Sequence, residues 1–592
     1  MSFFDDASLV MIPSGYKDQK VYSVKPIDGT GDLTFSRASS ATRVNSSGLV
    51  EKVRENLILQ SQDFSTTWSA NSCTVTTNTT ANPLNGAVDA DTITFTGATT
   101  EKYVIQAFSF NGVYTVSAYL KAGTNQFVQF LLGSDAAVYV NFDLVNGTRS
   151  GAFGSVADMV SLGNGWYRCS MSFTSTTGTH VFIQAVDSLA AYRFSPTTST
   201  GTLIAFGYQL ETGDIATDYI ATTTAAVSVG PVSGLPRLDY SGGASCPSLL
   251  LEPQRTNLAL YSEQIDNAYY GKINSSITAN ATISPDGYTN ADKLVDDTTN
   301  GYHAFETSGI STSIGAVYTV SLFAKKGEKS ILQILFDGGD VSGNPRANFD
   351  LQNGVLGSVD AAITATITDY GNGWYRCTAT ATSAVTSLIP IFCIVNSATS
   401  SRVENYVGNG TDGLFVWGAQ VEAGSYATSY LNTLSTAVTR VADDCYKSGI
   451  GSMFSGSFTL FANVVKTSDT GPVRFIMAKG AGGTYNNFID IENYQASKLL
   501  AVVTDNSATT QVFIIDNTNY TAGQTMKIAF QCKAGEYQLW VNGSIKGSSS
   551  YNSLPTVTDF RLAYFDYYSN NLVNQAMILP ELTPAQLAEL TA

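Results

Sequence analysis

The chain is poor in charge and almost empty of histidine. Of 592 residues, 32 are Lys or Arg, 48 are Asp or Glu and 2 are His. Charged residues make up 14%, where soluble domains average about 25%. A formal net charge of −16 argues against nucleic acid as a partner, because a basic face is needed to displace counterions. It equally disfavours docking on anionic lipid. No apolar run approaches the ~20 residues of a membrane helix, so membrane insertion is not expected. The start, MSFFDDASLV, has no basic stretch ahead of an apolar one, which predicts no secretory signal and synthesis in a cytoplasm.

Paired cysteines are missing too. Cys73, Cys169, Cys246, Cys377, Cys393, Cys445 and Cys532 are scattered singly and odd in number. They predict buried, reduced thiols and exclude a CxxC metal or redox motif. No GxxxxGK[ST] string offers a phosphate cradle. His180 and His303 fall at unrelated positions, so neither a Ser-His-Asp triad nor an imidazole metal site is expected. The cofactor expectation is none. Asp337-Gly-Gly-Asp340 is the string that would suit calcium through oxygen ligands, and nothing else in the sequence supports it.

What the chain has is Gly (51), Tyr (31) and Phe (30), with abundant Ser, Thr and Asn, and an internal duplication. LVEKVRENL (Leu49–Leu57) returns as LLEPQRTNL (Leu250–Leu258), and YTVSAYLKAG (Tyr114–Gly123) as YTVSLFAKKG (Tyr318–Gly327). NFDLVNG (Asn141–Gly147) returns as NFDLQNG (Asn348–Gly354), and GNGWYRC (Gly163–Cys169) is unchanged at Gly371–Cys377. GYQLETGDIATDYI (Gly207–Ile220) pairs with GAQVEAGSYATSYL (Gly418–Leu431). Five blocks in one order with nearly constant spacing mark two copies of one domain.

Each block reads as strand or turn. Tyr114, Val116, Ala118 and Leu120 alternate with Thr115, Ser117 and Tyr119, predicting a strand with one buried face. Phe127–Leu132 and Ile331–Phe336 read as central strands, and the Asn-Gly pairs as hairpin turns. The predicted fold class is all-β, with tandem antiparallel β-sandwich (jelly-roll) domains and a C-terminal sandwich. The expected boundaries are 1–48 for an N-terminal segment and 49–225 for copy 1. A Gly/Pro-rich linker spans 226–249, copy 2 spans 250–442, and the last domain spans 443–592.

Aromatic residues beside arginine suit sugars, since ring faces stack on pyranoses and guanidinium donates to hydroxyls. Trp166 and Arg168, with Trp374 and Arg376, are therefore glycan-binding candidates. Their alternation into a strand competes with this, and a repeated Trp is more often a core anchor. Trp540, Tyr564, Tyr567 and Tyr568 are further candidates, the tyrosines in a segment ending at a polar turn. Paired carboxylates are the one catalytic option composition leaves. Glu51/Glu252, Asp143/Asp350 and Glu211/Glu422 recur. The structural reading pairs Glu51 with Arg54 and Glu252 with Arg255, and gives the aspartates to their turns. No catalytic residue, and no enzyme activity, is expected.

FFDDASLVMIPSGYKDQKVYSVKP, DLTFSRASSATRV and ENLILQSQDFSTTW resemble the opening of bacteriophage fibre and spike proteins. PRLDYSGGASCPSLLLEPQRTNLALYSE and GNGWYRC resemble segments of phage head-spike and tail-fibre proteins, where they belong to a sandwich related to carbohydrate-binding modules. YQLWVNGSIKG and LTPAQLAEL give residues 443–592 a resemblance to laminin-G/concanavalin-like sandwiches. The resemblance implies a structural virion protein at the particle surface, as head fibre, tail fibre or spike, that binds host-surface polysaccharide without cleaving it. It implies other virion proteins (capsid, portal or collar, tail) as partners, and a homo-oligomer, trimers being frequent in that group. Residues 1–48 would then dock on the virion or donate strands. The competing readings are a polysaccharide-cleaving appendage and a bacterial surface adhesin.

Overall fold

A computed structural model describes residues 2–135, 137–467, 473–480, 486–494, 497–563 and 571–592. The chain divides into two compact units, Val53–Gly230, and Met1–Lys52 together with Pro231–Ala592.

Val53–Gly230 holds the first copy, built of two six-stranded antiparallel sheets. One runs Ser155–Gly163, Trp166–Ser175, Gly112–Ala122, Thr202–Thr212, Val88–Phe95, Cys73–Ala81. The other runs Thr148–Arg149, Tyr139–Asp143, Phe127–Leu132, His180–Val186, Tyr103–Ala107, Ser69–Asn71. Neighbours in space come from distant parts of the chain, the jelly-roll wiring. Val116, Ala118, Leu120, Phe130, Val140, Phe142, Ile183 and Leu210 fill the core between the sheets.

The second copy has the same wiring strand for strand. Its sheets run Thr364–Asp369, Trp374–Thr382, Val317–Lys326, Gly413–Ala423, Thr289–Asp296, Ser275–Ile283, and Val355–Val359, Arg346–Asp350, Ile331–Phe336, Pro390–Val395, His303–Thr307, Tyr270–Ile273. In one respect the sequence pattern misleads. Thr115, Ser117 and Tyr119, the face expected in solvent, are buried, as are Thr319, Ser321 and Phe323. Their polar groups are satisfied instead of solvated: Thr115 Oγ1 donates to the Gly213 carbonyl and Thr319 Oγ1 to that of Gly424.

The third sandwich takes strands from three parts of the chain. Its first sheet orders Arg237–Asp239, Ser248–Leu251, Asn571–Pro580, Phe458–Lys466, Thr525–Cys532, Tyr537–Val541 and Ser544–Ser549, and Leu9–Met11 also pairs with Asn571–Pro580. The second orders Tyr16–Lys17, Lys20–Val21, Leu33–Ser36, Asp444–Lys447, Asp559–Ala563, Arg474–Lys479, Phe488–Tyr494, Lys498–Thr504 and Thr510–Asp516. Residues 1–48 and 226–249 thus both contribute strands to this sandwich. Leu9, Met11, Val21, Leu33, Phe35, Leu249 and Leu251 are fully buried in the core shared with Leu460, Ile476, Ile491, Phe530 and Ile578. The last helix, Pro584–Thr591, opens on a capping box between Thr583 and Gln586 and packs Leu587 and Leu590 against Phe461 and Trp540.

The thiols are less uniform than expected. Cys169, Cys377, Cys393, Cys445 and Cys532 are buried, Cys73 is half-buried and Cys246 is exposed. None is disulfide-bonded.

Candidate carbohydrate-binding face

The repeated strings build one latch, made twice. Asn164-Gly165 and Asn372-Gly373 turn with positive φ and feed the strands that carry Trp-Tyr-Arg. Arg168 donates to the Thr217 carbonyl and, at 3.1 Å, to Ser117 Oγ. Arg376 donates to the Thr428 carbonyl at 2.6 Å and to Ser321 Oγ at 3.0 Å. Each guanidinium also lies over a ring, Tyr119 at 5.5 Å and Phe323 at 5.3 Å. Glu211 accepts from the Thr217 backbone N–H and hydroxyl, and Glu422 does the same for Thr428. Asn56 Nδ2 donates to the Tyr208 and Ile220 carbonyls, as Asn257 does to those of Ala419 and Leu431. These groups tie the segment after each long strand to the sheet's outer face, and they are consumed in doing so.

This settles the placement of the repeated candidates. Trp166 is 4% exposed and packs with Ala90, Tyr119 and Phe206. Trp374 is 1% exposed, and its indole N–H donates to the Ile283 carbonyl at 3.0 Å. Neither ring face is free to stack on a sugar. Tyr167 and Tyr375, on the other face of the strand, lie against Gly147 and Gly354, where a Cβ would meet the rings at 2.9 and 2.6 Å. The Asn-Gly pairs therefore serve close approach as well as turning. Trp540 is 8% exposed beneath the last helix, with its N–H on Gln538 Oε1 at 2.9 Å, so it is a packing residue as well. Tyr564, Tyr567 and Tyr568 lie outside the described residues.

The repeated carboxylates are also tied down, though not to the arginines their spacing suggests. Glu51 pairs with Arg43 at 2.7 Å and Arg54 with Asp218 at 3.0 Å. Glu252 pairs with Arg237 at 2.5 Å and Arg440 at 2.9 Å, while Arg255 lies over the Tyr426 ring. Asp143 and Asp350 accept backbone N–H groups of their own turns. Burial pushes the Glu211 carboxyl above its usual range, and it stays within its own loop. Asp340 accepts the Ile389 N–H at 2.6 Å and Asp337 that of Gly338 at 2.7 Å. Among the described residues no group of three or more His, Cys, Asp or Glu is placed to hold a metal ion. His303 is buried with its ring nitrogens on the Asn274 and Tyr406 carbonyls, and His180 is half-buried beside Thr179.

An exposed aromatic surface lies on the outer face of the first copy's second sheet. Tyr139 and Phe153 stack with centroids 4.5 Å apart and planes 8° from parallel. Tyr192 meets Tyr139 edge-on at 5.9 Å. Phe153 is 50% and Tyr192 71% exposed. Tyr103, Phe182 and Phe194 pack together on the same face. The loop carrying Tyr192 is fixed by Gln129, which donates to the Tyr192 carbonyl and accepts from the Phe194 N–H, and by Asn141, which donates to the carbonyls of Leu189 and Ala191.

The second copy keeps the scaffold of this face and none of its rings. Gln333 and Asn348 pin the equivalent loop through Ser401, Val403, Ala398 and Ser400. Strand register and these bonds place Arg346 where Tyr139 stands, Asp360 at Phe153, Ser401 at Tyr192, Ile391 at Phe182, Val403 at Phe194 and Ala304 at Tyr103. The ring stack is replaced by an Arg346–Asp360 ion pair at 2.5 Å. Both copies keep the bonds that pin this loop, and only the first carries the rings. Sequence reasoning missed them because no motif marks them; aligning the two copies at Tyr139, Phe153 and Tyr192 would have found them.

No protein-family model and no curated protein matches the chain. Among solved structures, it is similar to the CBM40 of a Ruminococcus gnavus IT-sialidase bound to α2,3-sialyllactose, at 10% identity and a TM-score of 0.21, over 23% of this chain and 83% of that one. It is similar to the CBM22-1–CBM22-2 tandem of Paenibacillus barcinonensis Xyn10C, at 11% and 0.21, over 66% and 100%. It is also similar to domains LG4-5 of the mouse laminin α1 chain, at 10% and 0.16, over 53% and 89%. Scores this low transfer nothing from those proteins to this one.

Proposed function

We propose that the chain is a non-catalytic adhesive protein that binds surface glycan through the exposed Phe153 and Tyr192 rings of its first sandwich, which rest on the buried Tyr139 ring. The observation that carries this is the pair of exposed rings, Phe153 and Tyr192, held on pinned backbone and absent from the second copy. Rigid ring faces bind pyranose rings with little loss of side-chain entropy. A shallow two-ring site binds weakly alone, and display in many copies compensates. The sequence resemblance over most of residues 1–440 supports the setting: a bacteriophage particle surface, as head fibre, tail fibre or spike, with other virion proteins as partners and the chain as a homo-oligomer. The test is binding of the purified chain to bacterial surface polysaccharides, with reducing ends assayed in parallel. Saturable binding without new reducing ends is the expected result. Release of reducing ends would contradict the non-catalytic reading, and no binding to any polysaccharide would contradict the adhesive one.

A further inference from the structure

In the second copy, a stretch of chain from outside the domain lies across the outer face of the first sheet. The Val50 N–H donates to the Pro285 carbonyl at 2.9 Å, and Leu49 rests against Gly287. The Val50 side chain is buried among Ala291, Phe323, Trp374, Trp417 and Tyr430. Two residues on, the Lys52 ammonium sits 2.7 Å from Glu263 and 2.7 Å from Asp286, over the Trp417 ring at 5.5 Å. An extended apolar–x–lysine segment thus fills a socket with an aromatic floor and an acidic end.

The first copy has the same socket without this filling. Ala90, Tyr119, Trp166, Phe206 and Tyr219 form a cluster that matches the second copy's position for position, and among the described residues no counterpart of Val50 belongs to it. At the acidic end lies an open cleft of about 250 Å3 lined by Gln62, Asp63, Asp89 and Asp91, with no lysine or arginine in its wall. Gln62 stands in the place of Glu263, and Asp89 in that of Asn290, which donates to Glu263 at 3.2 Å. Asp91 spends its oxygens on the Phe64 and Asn78 N–H groups, and Asp89 accepts from Asn82. The acid has moved across the cleft and is still there.

We propose that this cleft of the first sandwich receives a lysine ammonium carried on an extended apolar–x–lysine segment of a partner polypeptide, as the second sandwich receives Val50 and Lys52. The duplication supplies the evidence. The same fold, at the same socket, is seen holding an ammonium between carboxylates above an aromatic ring. The site is distinct from the Tyr139–Phe153–Tyr192 face and does not depend on the glycan reading.

The test uses the full chain and a synthetic peptide of residues 45–53, NSSGLVEKV, as probe. Saturable binding is expected, at least about tenfold weaker to Asp63→Asn/Asp89→Asn and to the wild type when the peptide's lysine is replaced by glutamine. Gln62→Glu, which restores the second copy's carboxylate, is expected to tighten binding, an outcome that damage to the fold cannot mimic. Absence of peptide binding, binding indifferent to the peptide's lysine or to the cleft variants, or calcium binding in the cleft with no affinity for the peptide would each overturn the proposal.

Discussion

Asp443 accepts a hydrogen bond from Arg37 at 3.1 Å, joining two residues 406 positions apart with both side chains fully buried. Its other oxygen takes Arg237 at 2.5 Å, Arg237 reaches Glu252, and Glu252 also holds Arg440 at 2.9 Å. One chain of buried charges therefore ties the N-terminal segment, the connection between copies, the second copy and the start of the last domain. Buried ion pairs contribute little net stability against apolar replacements, whereas removing one partner strands an uncompensated charge.

Asp443→Ala should destabilise the unit containing it by about 3–5 kcal/mol. Chemical unfolding followed by hydrogen exchange in separate peptides would show the loss in residues 231–592, with 53–230 changed little. Equal loss in both units would contradict the assignment.

Acid should act through the same cluster. Burial pushes the Glu252 carboxyl up, and the charges of Arg440 and Arg237 with hydrogen bonds from Ser429 outweigh it and hold it at about 2. A carboxyl lower in the folded state than in the unfolded chain contributes stability that is complete above its ordinary 4.5 and lost as pH falls toward 2. That contribution is of order 3 kcal/mol. Stability measured from pH 6 to pH 2 should fall in that window, and Glu252→Gln should be less stable at neutral pH with a flatter acid slope.

Deleting residues 1–48 should prevent residues 443–592 from folding as a sandwich. The deletion removes Leu9, Met11, Val21, Leu33 and Phe35 from the core and exposes the ladder edge of Asn571–Pro580. A dispersed amide spectrum from an isolated 443–592 fragment would refute this.

Arg168→Ala and Arg376→Ala should each destabilise their own copy by about 1.5–3 kcal/mol, the loss expected for hydrogen bonds to a charged group. Glycan affinity, measured where the variants remain folded, should not change. A loss of affinity with stability unchanged would return these residues to the binding site.

The sheets and the duplication were legible because period-2 patterning and turn residues act locally and because the same strings occur twice. Phe127–Leu132 and Asn542-Gly543 form the strand and hairpin their residues announce, Asn542 and Gly543 both at positive φ. The contributions of Leu9–Met11 and Ser248–Leu251 to the third sandwich were not legible, since pairing between residues hundreds of positions apart leaves no periodic trace. Trp166 and Trp374 drew attention by repetition, yet what duplication preserves most faithfully here is packing. The candidate face emerges where the copies differ, at Tyr139 against Arg346 and Tyr192 against Ser401.

Hydrogen exchange of the full chain, with and without a saturating surface oligosaccharide, tests glycan binding at this face most directly. Protection confined to residues 139–153 and 187–195, absent from 346–360 and 396–403 and abolished by Phe153→Ala/Tyr192→Ala, is the predicted result. Protection centred on the second copy or the last sandwich, or undiminished in the double variant, would contradict it.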